Sequence, residues 1–271
     1  MASAPVPAEL VRLADDRRRR VEEMKARVPG YELRTRIRRQ EPAGRLERAL
    51  RRGGAQAALR LLCEVKRSRP GPGPSRADLD PVALARLFAQ GGAAGVSLVA
   101  EPEHLQGDLA WLDAVRPAVQ LPILLTDLVV DSYQLIDAAV RGADGVLLVA
   151  GLLSGVQLQR LIGEARLLGL DGLVAVRGAD ELAAAVRAGA TLVGLDHRGL
   201  PGLESDLETS LAVLAHVPPL VTAVIASDPP EPDVLRRIRE TRCDAVLVGE
   251  AVTTSPDPAG TLARFVAAAR G

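Results

Sequence analysis

The chain has 271 residues, 48% of them hydrophobic, enough for one sizeable core without any need for several domains. Its 34 basic and 34 acidic residues cancel, so no global electrostatic case exists for nucleic acid or a membrane surface as partner. No apolar run approaches the ~20 residues that span a bilayer. Residues 1–9 lack a secretory h-region, and the two cysteines, Cys63 and Cys243, give neither a disulfide framework nor metal-ligand spacing. A reducing cytoplasm is the expected location, with no cofactor and no metal.

Residues 1–60 form a basic zone of their own, holding Arg17 to Arg20, Arg34, Arg36, Arg38, Arg39, Arg51 and Arg52, an excess of about eight positive charges. Leu10, Leu13, Val21 and Met24 recur at helical spacing, so an amphipathic helix is expected over 7–27, ended by Pro29-Gly30. A second short helix is expected over 43–52. The run Arg17–Arg20 reads as a solvated helix face.

From residue 61 to 271 one unit repeats: an apolar strand of about five residues, a turn, then a helix. The strands are expected at Leu61–Val65, Gly95–Val99, Ile123–Leu125, Gly145–Val149, Gly172–Val176, Leu192–Leu195, Leu220–Ile225 and Ala245–Val248. Between them, signals such as Gly91-Gly92-Ala93, Arg141-Gly142-Ala143-Asp144 and Ala188-Gly189-Ala190 end the helices, glycine permitting the left-handed cap. The strands lack strict polar alternation, as expected when helices cover their outer faces. Eight such units in series imply a (β/α)8 barrel with an N-terminal helical extension and a functional site at the C-terminal strand ends. An open doubly wound sheet is the alternative, but no Gly-x-Gly-x-x-Gly follows the first strand.

Strand alternation sends Leu62, Glu64 and Lys66 into the barrel together. A buried carboxylate and ammonium are costly unless they have a task or partners. They sit at the strand's C-terminal end, and Lys66 is one of two lysines among 34 basic residues. An ammonium is a compact charge able to change its protonation, which a guanidinium is not. Glu64 and Lys66 are the candidate catalytic pair; a rim ion pair is the plainer alternative.

The stretch Glu64-Val65-Lys66-Arg67-Ser68-Arg69-Pro70 resembles the first-strand motif of the indole-3-glycerol phosphate synthases. So do Asp80-Pro81, Glu101-Pro102-Glu103-His104-Leu105-Gln106-Gly107, Asp131-Ser132-Tyr133-Gln134, Arg198-Gly199-Leu200 and Val248-Gly249-Glu250, with the helical extension. The resemblance covers nearly the whole chain. It implies a carbon–carbon carboxy-lyase that closes a ring in a 1-(carboxyphenylamino)-1-deoxyribulose phosphate, losing carbon dioxide and water. In that family a lysine ending strand 3 is the acid and a glutamate in strand 5 assists proton removal. An asparagine after strand 6 and a glutamate ending strand 7 support them, and the strand 1 pair positions the substrate.

The sequence departs from this pattern at four positions. Thr126 stands for the strand 3 lysine, Ala175 for the strand 5 glutamate, Asp196 for the asparagine and Ala226 for the strand 7 glutamate. Alternation turns Thr126, Ala175 and Ala226 inward. A threonine hydroxyl is a far weaker acid than an ammonium, and alanine has no proton to move. Lys66, Asp127 and Asp196 are the substitutes at hand. The resemblance assigns Arg198 and Asp196 to substrate binding, with Arg69 replacing a loop serine, and Ser227, Gly249 and Glu250 to phosphate binding. Asp228 replaces a glycine of that cradle, and His197 reads as a solvated loop residue.

The expected function is therefore a divergent barrel, impaired in the standard ring closure, that binds or converts a related aryl-amino sugar phosphate, in specialised metabolism. A genuine synthase of tryptophan biosynthesis with substitute catalytic groups and a non-catalytic ligand- or partner-binding barrel both stay open. The expected partner is an anionic aromatic or sugar phosphate.

Overall fold

Eight short apolar runs pair in parallel, in chain order, and close on themselves with β8 beside β1. The computed structural model describes residues 6–37, 42–54, 57–67, 79–102, 106–195, 207–226 and 231–271. Three helices, α1 (Ala8–Arg27), α2 (Gly30–Arg34) and α3 (Arg45–Leu50), precede β1 (Arg60–Val65). There follow α4 (Pro81–Gly91), β2 (Gly95–Val99), α5 (Ala110–Val115), β3 (Ile123–Thr126), α6 (Ser132–Val140) and β4 (Gly145–Val149). Next come α7 (Gly155–Leu167), β5 (Asp171–Val176), α8 (Ala179–Arg187), β6 (Leu192–Leu195) and α9 (Leu207–Leu214). The chain ends with β7 (Thr222–Ile225), α10 (Pro232–Arg239), β8 (Ala245–Val248), α11 (Glu250–Thr253) and α12 (Pro258–Arg270).

The first helix ends ahead of Pro29-Gly30 as expected, at Arg27, and Pro29 then caps a further short helix, α2, that packs on α6. Proline's fixed φ suits the start of a helix as well as its end. Strand β7 begins at Thr222 rather than Leu220, since Val221 N–H closes a turn on the Pro218 carbonyl and Leu220 is exposed. The helix ends follow the glycine signals: Gly92, Gly142 and Gly189 have φ of +92°, +85° and +90°.

Alternation divides each strand between two cores. Leu61, Cys63, Val65, Val96, Leu98, Val174, Val176, Val246 and Val248 face the surrounding helices. Leu62, Val99, Leu124, Leu147, Val149, Leu173, Ala175, Val224, Ala226 and Leu247 fill the barrel interior. Burying one such leucine or valine is worth about 1.5–3 kcal/mol, so the period-2 pattern is strongly enforced.

The helical extension closes both ends of that interior. At the N-terminal end, Leu46 and Leu50 of α3 join the inner core. A methyl on Gly145 would meet Leu46 Cδ2 at 2.6 Å, so glycine is what lets α3 approach. Aspartates at strand starts hold α3 there. Asp171 accepts the Glu47 N–H at 3.0 Å, Asp244 the Arg52 N–H at 3.0 Å, and Asp144 pairs with Arg45 and Arg116. At the C-terminal end, Leu10 and Leu13 of α1 belong to the same inner core as Ala175 and Ala226.

The buried stripe of α1 is Leu10, Leu13, Ala14, Arg17 and Val21. Arg17, expected on the solvated face, is instead buried against Asp127. Arg18 and Arg19 pair with Asp15 and Asp16 one turn back. Much of the basic run is thus answered by acids of the same helix. Lys25 pairs with Asp131 at 2.9 Å, and the Tyr133 hydroxyl donates to the Val28 carbonyl at 3.1 Å, so α1 is moored along the β3–α6 unit. Among the described residues, no helix is long and apolar enough to cross a membrane, and no cluster of metal-ligating side chains occurs.

Candidate active site at the C-terminal mouth

The first strand delivers its charges as the alternation requires. Glu64 and Lys66 are both buried inside the barrel, with Lys66 Nζ 3.2 Å from Glu64 Oε2. The other carboxylate oxygen, Oε1, accepts from the Ser97 hydroxyl of β2 at 3.1 Å. Ser97 Oγ in turn lies 2.8 Å from Thr126 Oγ1 at the end of β3. Since Ser97 spends its one proton on the carboxylate, Thr126 is the donor in that last contact. Four side chains on three adjacent strands thus form one chain running Thr126, Ser97, Glu64, Lys66.

Ser97 was not among the residues singled out from sequence. The signal was available: it is a polar side chain at an inward position of an otherwise apolar strand. Ala175 and Ala226 face the same interior, as expected, and both are buried in its apolar cluster. The strand 5 and strand 7 positions are therefore apolar wall, while among the described residues Glu64, Lys66, Ser97 and Thr126 form a polar chain across strands 1 to 3.

Asp127, weighed above as a stand-in acid, points elsewhere. Its Oδ1 accepts the Leu128 N–H at 2.8 Å, and Oδ2 accepts from Arg17 and from Gln134 Nε2 at 3.3 Å. Burial pushes this carboxyl above the usual carboxylate range, against the opposing pull of Arg17. Three donors surround it and tie β3 to α1 and α6. It is a mooring point.

Arg67, directly after Lys66, lays its guanidinium over the Trp111 ring at 4.9 Å from the centroid, with Nε buried and without a hydrogen-bond partner. Arg177, two residues beyond Ala175, is held by Glu181 through Nε at 2.9 Å and through its own N–H at 2.8 Å. Both arginines follow the C-terminal ends of their strands, β1 and β5. Neither pairing was read from sequence, because each depends on a partner whose position only the fold supplies. The two cysteines are buried, and burial pushes the Cys243 thiol up to about 12, which leaves it inert as a nucleophile.

Of the expected phosphate residues, Gly249 and Glu250 open the single turn α11 after β8, where the Gly249 carbonyl accepts from Thr253 N–H at 2.9 Å. Ser227, Asp228, Asp196, His197, Arg198 and Arg69 lie outside the described residues.

Comparison with known proteins agrees with this architecture. A family model described as indole-3-glycerol phosphate synthase matches residues 10–265. The chain is 40% identical to indole-3-glycerol phosphate synthase 1 of Streptomyces coelicolor, over 91% of this chain and 90% of that one. It is 35% identical to the synthase of Roseiflexus castenholzii (93% and 95% covered) and 32% identical to that of Carboxydothermus hydrogenoformans (93% and 97%). A solved 3-hexulose-6-phosphate synthase superposes with a TM-score of 0.63 at 16% identity, covering 78% of this chain and 99% of that one, a likeness of fold alone. This chain belongs to the indole-3-glycerol phosphate synthase family.

Proposed function

We propose that the mouth binds an aryl-amino sugar phosphate of the family's kind and that the standard decarboxylating ring closure is slowed. The observation that carries this is the occupancy of three inward positions by Thr126, Ala175 and Ala226, where the family resemblance implies lysine, glutamate and glutamate. Each positioned acid or base is worth about 10²–10⁴ in rate, and groups acting together lose their effect less than additively. The retained Glu64–Lys66 pair, buried and mutually satisfied, supports continued recognition of a polar ligand.

A second reading is a working indole-3-glycerol phosphate synthase, acting in tryptophan biosynthesis. The names of relatives 32–40% identical over more than nine-tenths of this chain favour it, and on similarity alone it is the better supported of the two. Lys66 is then the acid at hand, since Asp127 is engaged with α1.

Turnover of 1-(carboxyphenylamino)-1-deoxyribulose phosphate by the purified protein, beside a family enzyme with the full residue set, separates the readings. A rate at least about a hundredfold lower is expected. A rate within a fewfold would give the case to the second reading.

A further inference from the structure

We propose that Thr126, Ser97 and Glu64 form a proton shuttle that serves the strand 3 position from strand 1. The inference rests on the reading that an aryl-amino sugar phosphate occupies the mouth. The geometry is a directed chain. Thr126 Oγ1 donates to Ser97 Oγ at 2.8 Å, and Ser97 Oγ donates to Glu64 Oε1 at 3.1 Å, all three side chains being buried inside the barrel. Lys66 Nζ lies 3.2 Å from Glu64 Oε2, on the side of the carboxylate away from Ser97. Every donor in the chain points toward Glu64, so the carboxylate is the sink.

A threonine hydroxyl cannot act as an acid or base by itself at neutral pH, but a hydroxyl can pass a proton on while receiving another. When a ligand X–H bond beside Thr126 breaks, its electron pair stays on the ligand and its proton goes to Thr126 Oγ1. Thr126 gives its own proton to Ser97, and Ser97 gives its own to Glu64, which ends as the neutral acid. The return runs the same three bonds backward and delivers the proton to a departing hydroxide, forming water and restoring the carboxylate. One proton is moved and returned, with no oxidant, reductant or further reactant. Dehydration of a ring intermediate needs this pair of transfers, one proton off carbon and one onto the leaving oxygen. The substitution at position 126 thus exchanges a direct donor for a relay whose charge sits one strand away.

A merely structural hydrogen-bond chain predicts something different, and the two are separable. Thr126→Val keeps the shape and removes the hydroxyl, Thr126→Ser keeps the hydroxyl, and Ser97→Ala cuts the chain in its middle. With 1-(carboxyphenylamino)-1-deoxyribulose phosphate, the residual kcat should fall at least about tenfold in Thr126→Val and Ser97→Ala, and stay within about threefold in Thr126→Ser. KM should change little in all three, and the solvent deuterium effect on kcat should shrink in the two broken chains. Residual turnover unchanged in Thr126→Val, or absent from the unmodified protein while the compound binds, overturns the shuttle and leaves the ligand reading standing. If calorimetry shows no binding of the compound by the unmodified protein, the ligand reading fails, and the shuttle with it.

Discussion

The guanidinium of Arg17, midway along α1, is hydrogen-bonded to the carboxylate of Asp127, the residue that follows Thr126 at the end of β3. Both side chains are buried, and Arg17 Nε has no hydrogen-bond partner. Deleting one member of a buried pair leaves the other uncompensated, at a cost of about 3–5 kcal/mol. Arg17→Ala should therefore lower the unfolding free energy by about 3 kcal/mol or more at neutral pH. The penalty should also depend on pH. Burial already raises the Asp127 carboxyl, and Arg17 is what opposes the rise. Without Arg17 the folded-state value climbs further above the unfolded one, so the folded state holds the extra proton. Stability contributed by such a group is present below the unfolded value and lost as pH rises through the folded one. Acidification from neutrality toward about pH 5 should thus narrow the gap between Arg17→Ala and the unmodified protein. Denaturant unfolding at both pH values checks this, and a gap that stays constant or widens counts against it.

That same pair shows where sequence reading reached its limit. The spacing of Leu10, Leu13 and Val21 predicts α1, and strand alternation turns Leu62, Glu64, Thr126, Ala175 and Ala226 inward, where the structure has all five. These are local regularities, enforced because a shift of one residue would turn a whole strand inside out. Arg17 lies on the same buried stripe as those leucines, yet its charge suggested solvent. Its partner is 110 positions away, and only the barrel brings it near. Ser97 was missed for a related reason: a serine carries little weight until Glu64 and Thr126 stand on either side of it. Residues whose roles come from the family resemblance, Arg198 and Ser227 among them, remain assignments of the motif.

If the lost groups limit ring closure, returning them should raise it. Thr126→Lys, Ala175→Glu and Ala226→Glu combined should increase turnover of the family substrate by about a hundredfold or more over the unmodified protein. The gain will be tempered by packing. Ala175 and Ala226 share an apolar cluster with Leu10 and Leu13, and enlarging a packed position typically costs about 1–3 kcal/mol. Circular dichroism and a melting curve will show whether the triple variant is folded. A folded triple variant with an unchanged rate would mean that some other feature of the mouth governs the chemistry.

The opposite end of the barrel should behave differently. Asp144 accepts from Arg45 at 2.9 Å, from Arg116 at 2.9 Å and from the Ile123 N–H at 2.8 Å, with its side chain buried. Asp144→Ala leaves two guanidinium groups and a strand N–H without this acceptor and should cost about 3–5 kcal/mol. Ligand affinity at the mouth should be unaffected, because these contacts lie at the N-terminal strand ends. Parallel unfolding and calorimetric measurements test both halves, and a marked loss of affinity in the folded variant would contradict the separation.

The retained strand 1 pair offers the most direct test of whether the mouth still binds anything. Glu64 and Lys66 are buried, and two isolated charges in an apolar barrel would cost several kcal/mol in desolvation. Here they satisfy each other at 3.2 Å, with Ser97 on the second carboxylate oxygen. An ion pair closing the rim needs no more than that. A ligand site predicts in addition that Lys66 contributes to the affinity for an anion at the strand ends. Lys66→Ala should then weaken binding of an aryl carboxylate or sugar phosphate by about 1.5–3 kcal/mol, the usual worth of a hydrogen bond to a charged group. That corresponds to roughly 10- to 150-fold in dissociation constant. Calorimetry with anthranilate, ribulose 5-phosphate and 1-(carboxyphenylamino)-1-deoxyribulose phosphate measures it directly. Lys66→Met, which keeps the length of the side chain without its charge, guards against a loss caused by a cavity. Millimolar concentrations of all three compounds giving no heat, or both Lys66 variants binding as tightly as the unmodified protein, would reduce the pair to a structural rim contact.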